Sequence, residues 1–324
     1  MNSFGRIFRV HIFGESHGST IGITIDGCPP GIALSPADFI ADLERRKPGA
    51  KGTTPRKEDD RPEVVSGCHN GYTTGAPLTI LFHNKNVRSK DYADLKDTPR
   101  PGHADFVASQ RFMGYNDPRG GGHFSGRLTV ALVAAGVVAK KILIPVNITA
   151  ALIEAGGMTD IQDAVSKALE EGDSIGGLVE CRAENIPVGW GEPFFDSAES
   201  VISHLAFAVP AIKGIEFGSG FRAATMRGSE HNDPIVDSSG KTATNHAGGI
   251  TGGLTNGNAL IFRVAVKPTS SISKKQTSLN IQTNKMATLE VAGRHDACIA
   301  LRVPVVIEAI TAMALADLKL LARS

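Results

Sequence analysis

Residues 127–144, RLTVALVAAGVVAKKILI, are apolar on nearly every side and rich in small side chains. A helix that is hydrophobic all round is a buried one, and small residues let it pack closely on its neighbours. Residues 304–323, opened by Pro304, form a second long apolar helix. Outward from this pair, amphipathic helices are expected at 160–171, closed by Gly172, and at 197–209. Another starts at Ser35-Pro36-Ala37-Asp38 and runs to about Arg46: Ser35 suits the N-cap, Pro36 the first helical position and Asp38 the acid of a capping box. Strand-like segments lie at 6–13, 20–26, 63–69, 77–83, 148–154, 178–185, 213–217 and 258–266. No repeat or clean linker divides them, no GxGxxG is present, and the βαβ spacing is too broken for a dinucleotide-binding fold. One domain over 1–324, mixing sheets with buried helices, is expected.

The 324 residues hold 34 Lys+Arg and 33 Asp+Glu, so the net charge is +1. That balance excludes a general nucleic-acid binder, which carries a basic excess. No apolar run reaches the roughly 20 residues of a membrane span. The start, MNSFGR, has no apolar h-region, so no signal peptide is expected. Four scattered cysteines (Cys28, Cys68, Cys181, Cys298) without a CxxC pair read as reduced thiols of a cytoplasmic protein. Glycine supplies 36 residues, against a usual share of about 7%. So much glycine without a repeat marks places where backbone turns sharply or approaches a ligand, which favours an enzyme over a structural protein.

Residues 84–122 show little periodicity, and an irregular stretch of that length inside a compact domain is usually functional. Gly14-Glu15-Ser16-His17-Gly18 fits GxSxG, but that nucleophile elbow needs a helix after it, and 19–26 reads as a strand. A hydrolase is therefore disfavoured; what remains is a tight turn displaying Ser16 and His17. Arg100-Pro101-Gly102-His103-Ala104-Asp105 sets a guanidinium, an imidazole and a carboxylate on one stiff turn, suited to anion recognition and acid–base work. Arg119-Gly-Gly-Gly-His123-Phe124-Ser125-Gly126-Arg127 leads into the buried helix and suits a phosphate or oxyanion. Gly293-Arg294-His295-Asp296 precedes the C-terminal helix. Asn245–Gly253 and Lys267-Pro268-Thr269-Ser270-Ser271 add glycines, a lysine and hydroxyls. No HxH, HExxH or His/Cys pair appears, so no metal is expected. On these residues alone the chain reads as a lyase or transferase acting on a phosphorylated, carboxylated metabolite.

Taken together and in order, 14–29, 43–49, 71–77, 84–105, 119–141, 245–253, 267–271 and 293–308 go further: the chain resembles the chorismate synthase family over nearly its whole length. The resemblance implies a β-α-β sandwich of α+β class, with core helices between two antiparallel-rich sheets, in a homotetramer. It implies a 1,4-elimination of phosphate from 5-enolpyruvylshikimate 3-phosphate, giving chorismate for aromatic amino acid biosynthesis. The reaction requires reduced FMN without net redox change, and NADPH enters only as a reductant for the flavin. No nucleic acid or membrane partner is implied.

Residue by residue, His17 is similar to the imidazole that assists the departing phosphate, His103 to the one beside reduced flavin at N1, and Asp296 to the carboxylate near N5. Ser16, Arg46, Arg100, Arg127 and Arg294 match substrate positions. His123, Phe124, Ser125, Ala211, Gly252, Lys267, Pro268, Thr269, Ser270, Ser271 and Arg294 match cofactor positions. His123, Phe124 and Leu128 depart from the family's usual Arg, Ser and Glu, and Pro210 stands where Asn is common. Arg46, Arg100, Arg127 and Arg294 are expected to meet in one cleft without carboxylate partners, with a mobile loop at 47–62. Two other classes stand beside this reading: a flavin-dependent oxidoreductase, and a phosphometabolite binder that has lost the chemistry.

Overall fold

The computed structural model describes residues 1–54, 59–85, 97–291 and 295–322. The N-terminal part supplies β1 (Ser3–Phe4), β2 (Arg9–Gly14), β3 (Thr20–Asp26), α1 (Ile40–Arg46), β4 (Glu63–Ser66), the short β5 (Cys68–His69) and β6 (Tyr72–Thr73), and β7 (Leu78–His83). Its main sheet has the order β1-β2-β3-β7-β4. Alternation builds the inner face: Ile21, Ile23 and Ile25 stand opposite Phe82, Ile80 and Leu78, and all six are fully buried.

The remainder supplies α2 (Asp105–Arg111), α3 (Thr129–Leu143), β8 (Asn147–Ala155), α4 (Ile161–Glu170), β9 (Gly177–Glu184), α5 (Ala198–Ala208), β10 (Ile212–Phe217), α6 (Gly228–His231), β11 (Ile250–Thr251), β12 (Leu254–Thr255), β13 (Leu260–Val266), β14 (Gln276–Asn280), β15 (Lys285–Leu289) and α7 (Pro304–Leu321). The second sheet runs β10-β13-β9-β8. Neighbouring strands in both main sheets are antiparallel.

Helix α3 packs on β2, β3 and β7, α7 packs on β8 and β9, and the two helices pack on each other. They are the central layer of an α+β sandwich. Their sequences require that position: 12 of the 15 residues of α3 are buried, as are 15 of the 18 in α7. A Cβ at Gly136 would stand 2.3 Å from the Ala309 Cβ, so the small residues of α3 are what allow the close approach.

Helix α7 also buries three charges, each with a hydrogen-bond partner. Glu308 accepts from Arg45 Nη2 at 2.6 Å, Lys140 Nζ at 3.0 Å and the Ala150 amide at 2.9 Å. Asp317 accepts the Arg6, Ile7 and Phe8 amides, which ties the entrance of β2 to the core helix. Lys319 Nζ donates to the Ile142 carbonyl. A charge on a buried helix is tolerable only when its hydrogen-bonding capacity is met in this way.

All four cysteines are unpaired, and burial pushes the Cys28 thiol up to about 11. The stretch 84–122 is less irregular than expected: it contains α2 and a 3₁₀ turn at Arg119–Phe124. The hairpin β14–β15 was not anticipated. No helix among the described residues is long and apolar enough to cross a membrane.

Candidate active site

A cavity of about 750 Å³ opens beside the N-terminal ends of α3 and α7, reaching Leu132 on one and Met313 on the other. The loops around it are shaped by glycine. Gly120, Gly121 and Gly122 follow one another at φ of 59°, 80° and 53°, a left-handed run that side chains would oppose. A Cβ on Gly120 would fall 2.6 Å from His17 Nε2 and 2.9 Å from Ser16 Oγ. The Ser16 amide donates to the Gly122 carbonyl at 3.0 Å. The turn carrying Ser16 and His17 is thus pressed on the glycine loop, and both residues are buried. Asn84 Nδ2 holds the turn from below through the Glu15 and Gly18 carbonyls. Strand β3 follows the turn, so the strand–turn–helix elbow of a hydrolase is absent here.

The Arg100–Asp105 turn folds back on itself. Asp105 receives Arg100 Nε at 2.8 Å on Oδ2, Arg100 Nη2 at 2.8 Å on Oδ1, and the Arg100 amide at 3.1 Å. His103 Nδ1 lies 2.6 Å from Asp105 Oδ1. Burial would raise the Asp105 pKa, but the hydrogen bonds from Arg100 and His103 overcome it and hold the carboxyl far below the usual range. Arg100 Nη1 donates to Ser271 Oγ at 3.0 Å. The same turn meets the 267–271 loop again at Gly102, whose carbonyl accepts from Lys267 Nζ and Ser270 Oγ. Burial, with the charge of Lys213, lowers the Lys267 pKa.

Arg46 and Arg127 do meet, but not as bare guanidiniums. Asp60 lies between them, with Oδ2 2.6 Å from Arg46 Nη2 and Oδ1 2.5 Å from Arg127 Nη1. Burial would push its carboxyl up, yet the charges of Arg46 and Arg127 outweigh this and keep the pKa below the ordinary value. The expectation of cations without carboxylate partners is therefore corrected twice, at Asp60 and at Asp105. Its physical reason is that two guanidiniums buried together need a counter-ion before any ligand arrives. Asp60 sits in the charged stretch Lys57–Arg61, where three successive acids flanked by basic residues were the available signal.

Asp296, at the foot of α7, accepts the Thr54 amide at 3.0 Å and faces Arg302 Nη1 at 3.3 Å. Arg302 Nε in turn donates to the Arg46 carbonyl. Arg302 was also missed by the sequence reading, although it lies only 6 residues beyond Asp296. His123 Nδ1 is 2.8 Å from the Gly14 carbonyl and its Nε2 3.0 Å from the Asn2 side chain. The Phe124 ring packs at 6.2 Å on Phe112.

Of the anticipated residues, Ser16, Arg46, Arg100, His103, His123, Phe124, Ser125, Arg127, Ala211, the loop Lys267–Ser271 and Asp296 all line the one cavity. His17 adjoins it through Gly120. Gly252 is placed elsewhere, in the turn joining β11 and β12, and is not among the lining residues. Arg294 lies outside the described residues. Among the described residues no cluster of side chains suits a metal ion.

Comparison with known proteins points the same way. The sequence profile of the family described as "Chorismate synthase" matches residues 8–320. The chorismate synthase of Chitinophaga pinensis is 63% identical over 322 residues, covering 99% of this chain and 97% of that protein. That of Korarchaeum cryptofilum is 44% identical over 346 residues, covering 97% and 96%. A solved chorismate synthase crystal structure superposes with a TM-score of 0.75 at 26% identity, covering 98% of this chain and 92% of that one. With α3, nearly all of α7, every strand of the main sheets but β1, and the glycine-bearing cavity loops inside the matched span, the chain belongs to the chorismate synthase family.

Proposed function

We propose that this protein is a carbon–oxygen lyase that converts 5-enolpyruvylshikimate 3-phosphate to chorismate by 1,4-elimination of phosphate, with reduced FMN and no net redox change. The observation that carries the reading is the meeting of Arg46, Arg100 and Arg127 with His103 and Asp296 in one cavity of a chain matched to this family from 8 to 320. Its volume is in the range of small-molecule and cofactor sites.

The lining fits a flavin phosphate and a polyanionic substrate. Two buried hydroxyls that line the cavity, Ser16 Oγ and Thr269 Oγ1, have no hydrogen-bond partner among the described residues, and Thr269 lies beside Lys267. The loop Lys267–Ser271, with Ser125 and Ala211, would hold the cofactor, and Arg46, Arg100 and Arg127 the substrate's phosphate and carboxylates. Reduced FMN, when bound, supplies electron density that the reacting ring borrows and returns within one cycle. The C–O bond to phosphate breaks with its electron pair, a ring proton leaves, and one C=C bond forms.

In that reaction the chain's own groups place charge and protons. Guanidiniums already held by Asp60 and Asp105 stabilise the leaving dianion without reorganising. His17 supplies a proton toward the departing phosphate. His103, held at Nδ1 by Asp105, presents Nε2 on the side of Gly121, where a Cβ added to that glycine would stand 3.4 Å away. Asp296 offers a carboxylate for the departing ring proton. NADPH would serve only to reduce the flavin. A cytoplasmic homotetramer belongs to the same reading, and the fully outward Phe194, Phe195 and Phe221 support association.

Anaerobic incubation with substrate and pre-reduced FMN tests the reading. Chorismate should appear by absorbance, with phosphate in equal amount and many turnovers per flavin. One reductant oxidised per product would make the protein an ordinary oxidoreductase. Substrate binding without product would make it a phosphometabolite binder.

A further inference from the structure

We propose that Asp105 is a positioning residue that fixes His103 in one protonation geometry, with the proton on Nδ1 and Nε2 turned to the cavity, and locks Arg100 in the same act. The inference rests on the proposed elimination for its consequence in turnover, but not for its geometry. Asp105 has two oxygens and four donors on them: three from Arg100 and one from His103. An ionised carboxylate can only accept, so at 2.6 Å the hydrogen between it and the ring belongs to His103 Nδ1. Arg100 Nη2 also lies 3.0 Å from this nitrogen, but a protonated Nδ1 cannot accept from it, and its hydrogen goes to Asp105 Oδ1 instead. The only nitrogen of His103 left to exchange a proton with a ligand is Nε2.

The arrangement does two things that neither partner does alone. It removes the tautomer with the proton on Nε2 from the neutral ring, so that every proton held at Nε2 makes the imidazolium. It also holds the Arg100 guanidinium 3.0 Å from Nδ1 of the same ring. The bidentate hold on Arg100 uses both carboxylate oxygens, so an amide in place of Asp105 would lose one of them. The other groups around the ring are few. Lys267 reaches the neighbouring Gly102 carbonyl from the 267–271 loop, the 119–124 turn offers the uncharged Gly121, and His17 lies beyond Gly120. No second carboxylate stands against the ring among the described residues.

The test is Asp105→Asn, read first by nitrogen NMR of histidine-labelled protein without flavin or substrate, His103 being assigned by difference from His103→Ala. In the wild type the neutral ring should show Nδ1 protonated. In Asp105→Asn the Nε2-protonated tautomer should appear. Asp105→Glu, which keeps an accepting carboxylate, should retain the Nδ1-protonated tautomer. With reduced FMN and substrate, kcat should fall roughly 10²-fold. The same substitution on a His103→Ala background should then add little. An unchanged tautomer in folded Asp105→Asn would overturn the proposal whatever the activity. A changed tautomer in a protein that makes no chorismate would leave the positioning intact and sink the proposed reaction.

Discussion

Asp60 is the residue whose removal should report most directly on how the cavity is built. The perturbation is Asp60→Asn, which keeps the shape and deletes the charge between Arg46 and Arg127. Both ion pairs are almost wholly buried, at 2.6 and 2.5 Å, so the guanidiniums gain little solvation from bulk water in compensation. Breaking a buried pair by removing one partner costs about 3–5 kcal/mol. Unfolding entropy of about 2.1 cal/mol/K per residue, over 324 residues, is close to 0.7 kcal/mol/K. The melting temperature should therefore fall by roughly 4–7 °C at pH 7. Inorganic phosphate should replace the missing charge, and so should raise the melting temperature of Asp60→Asn more than that of the wild type.

The sign with pH follows from the depressed pKa. Asp60 titrates below its ordinary value of 3.8 in the folded protein, so its contribution is complete above the unfolded value near 4 and is lost as pH falls through the folded one. The two melting curves should stay apart from about pH 5 to 8 and converge in acid. Calorimetry across pH, with and without phosphate, measures all of this. A loss below about 1 °C at pH 7, together with equal phosphate effects, would refute the counter-ion argument.

Other expectations are simpler to check. His17→Ala and His103→Ala should each lower turnover by roughly 10²–10⁴-fold with circular dichroism unchanged; near wild-type turnover would remove that histidine from the mechanism. Gly136→Ala drives a methyl group against Ala309, and overpacking of about 1–3 kcal/mol should outweigh the helical gain and lower the melting temperature; a rise would show that α3 and α7 can separate freely. Oxidised FMN should bind without supporting turnover. Lys267→Ala should weaken that binding about tenfold or more by flavin fluorescence, and an unchanged affinity would leave the 267–271 loop without its assigned ligand.

Where apolar contrast was strong, the elements were legible: β3, α4 and α7 fall within a residue or two of the sequence boundaries. Helix α3 starts two residues late because Ser125 caps a 3₁₀ turn at Gly126–Leu128 before the α-helix begins. Helix α2 was hidden because Phe106 and Val107 point outward, which erases the amphipathic pattern. The hairpin β14–β15 was hidden because QTSLN and KMATL alternate only weakly and bury little. At the site, each cation could be read from its own glycine-bearing turn. Their counter-ions mostly could not: Asp60 is 67 residues from Arg127, and such a pairing exists only once the fold has closed. Asp105 is the exception, since its partners are within five residues.

These pairings change what the positive residues of the cavity can be expected to do. Among the described residues, two guanidiniums on Asp60 leave one net positive charge, Arg302 and Asp296 leave none, and Arg100 with Asp105 leaves none unless His103 is protonated. At an effective dielectric near 20, a phosphate about 4 Å from one such net charge gains about 4 kcal/mol, enough to hold a substrate without the clamp of bare cations that composition suggests. Most of the desolvation and side-chain ordering of these arginines is met when the chain folds, not when a ligand enters. Net attraction for an anion at the Arg100 end then depends on the charge state of His103, so a proton gained at His103 Nε2 and an anion gained beside Arg100 should favour each other.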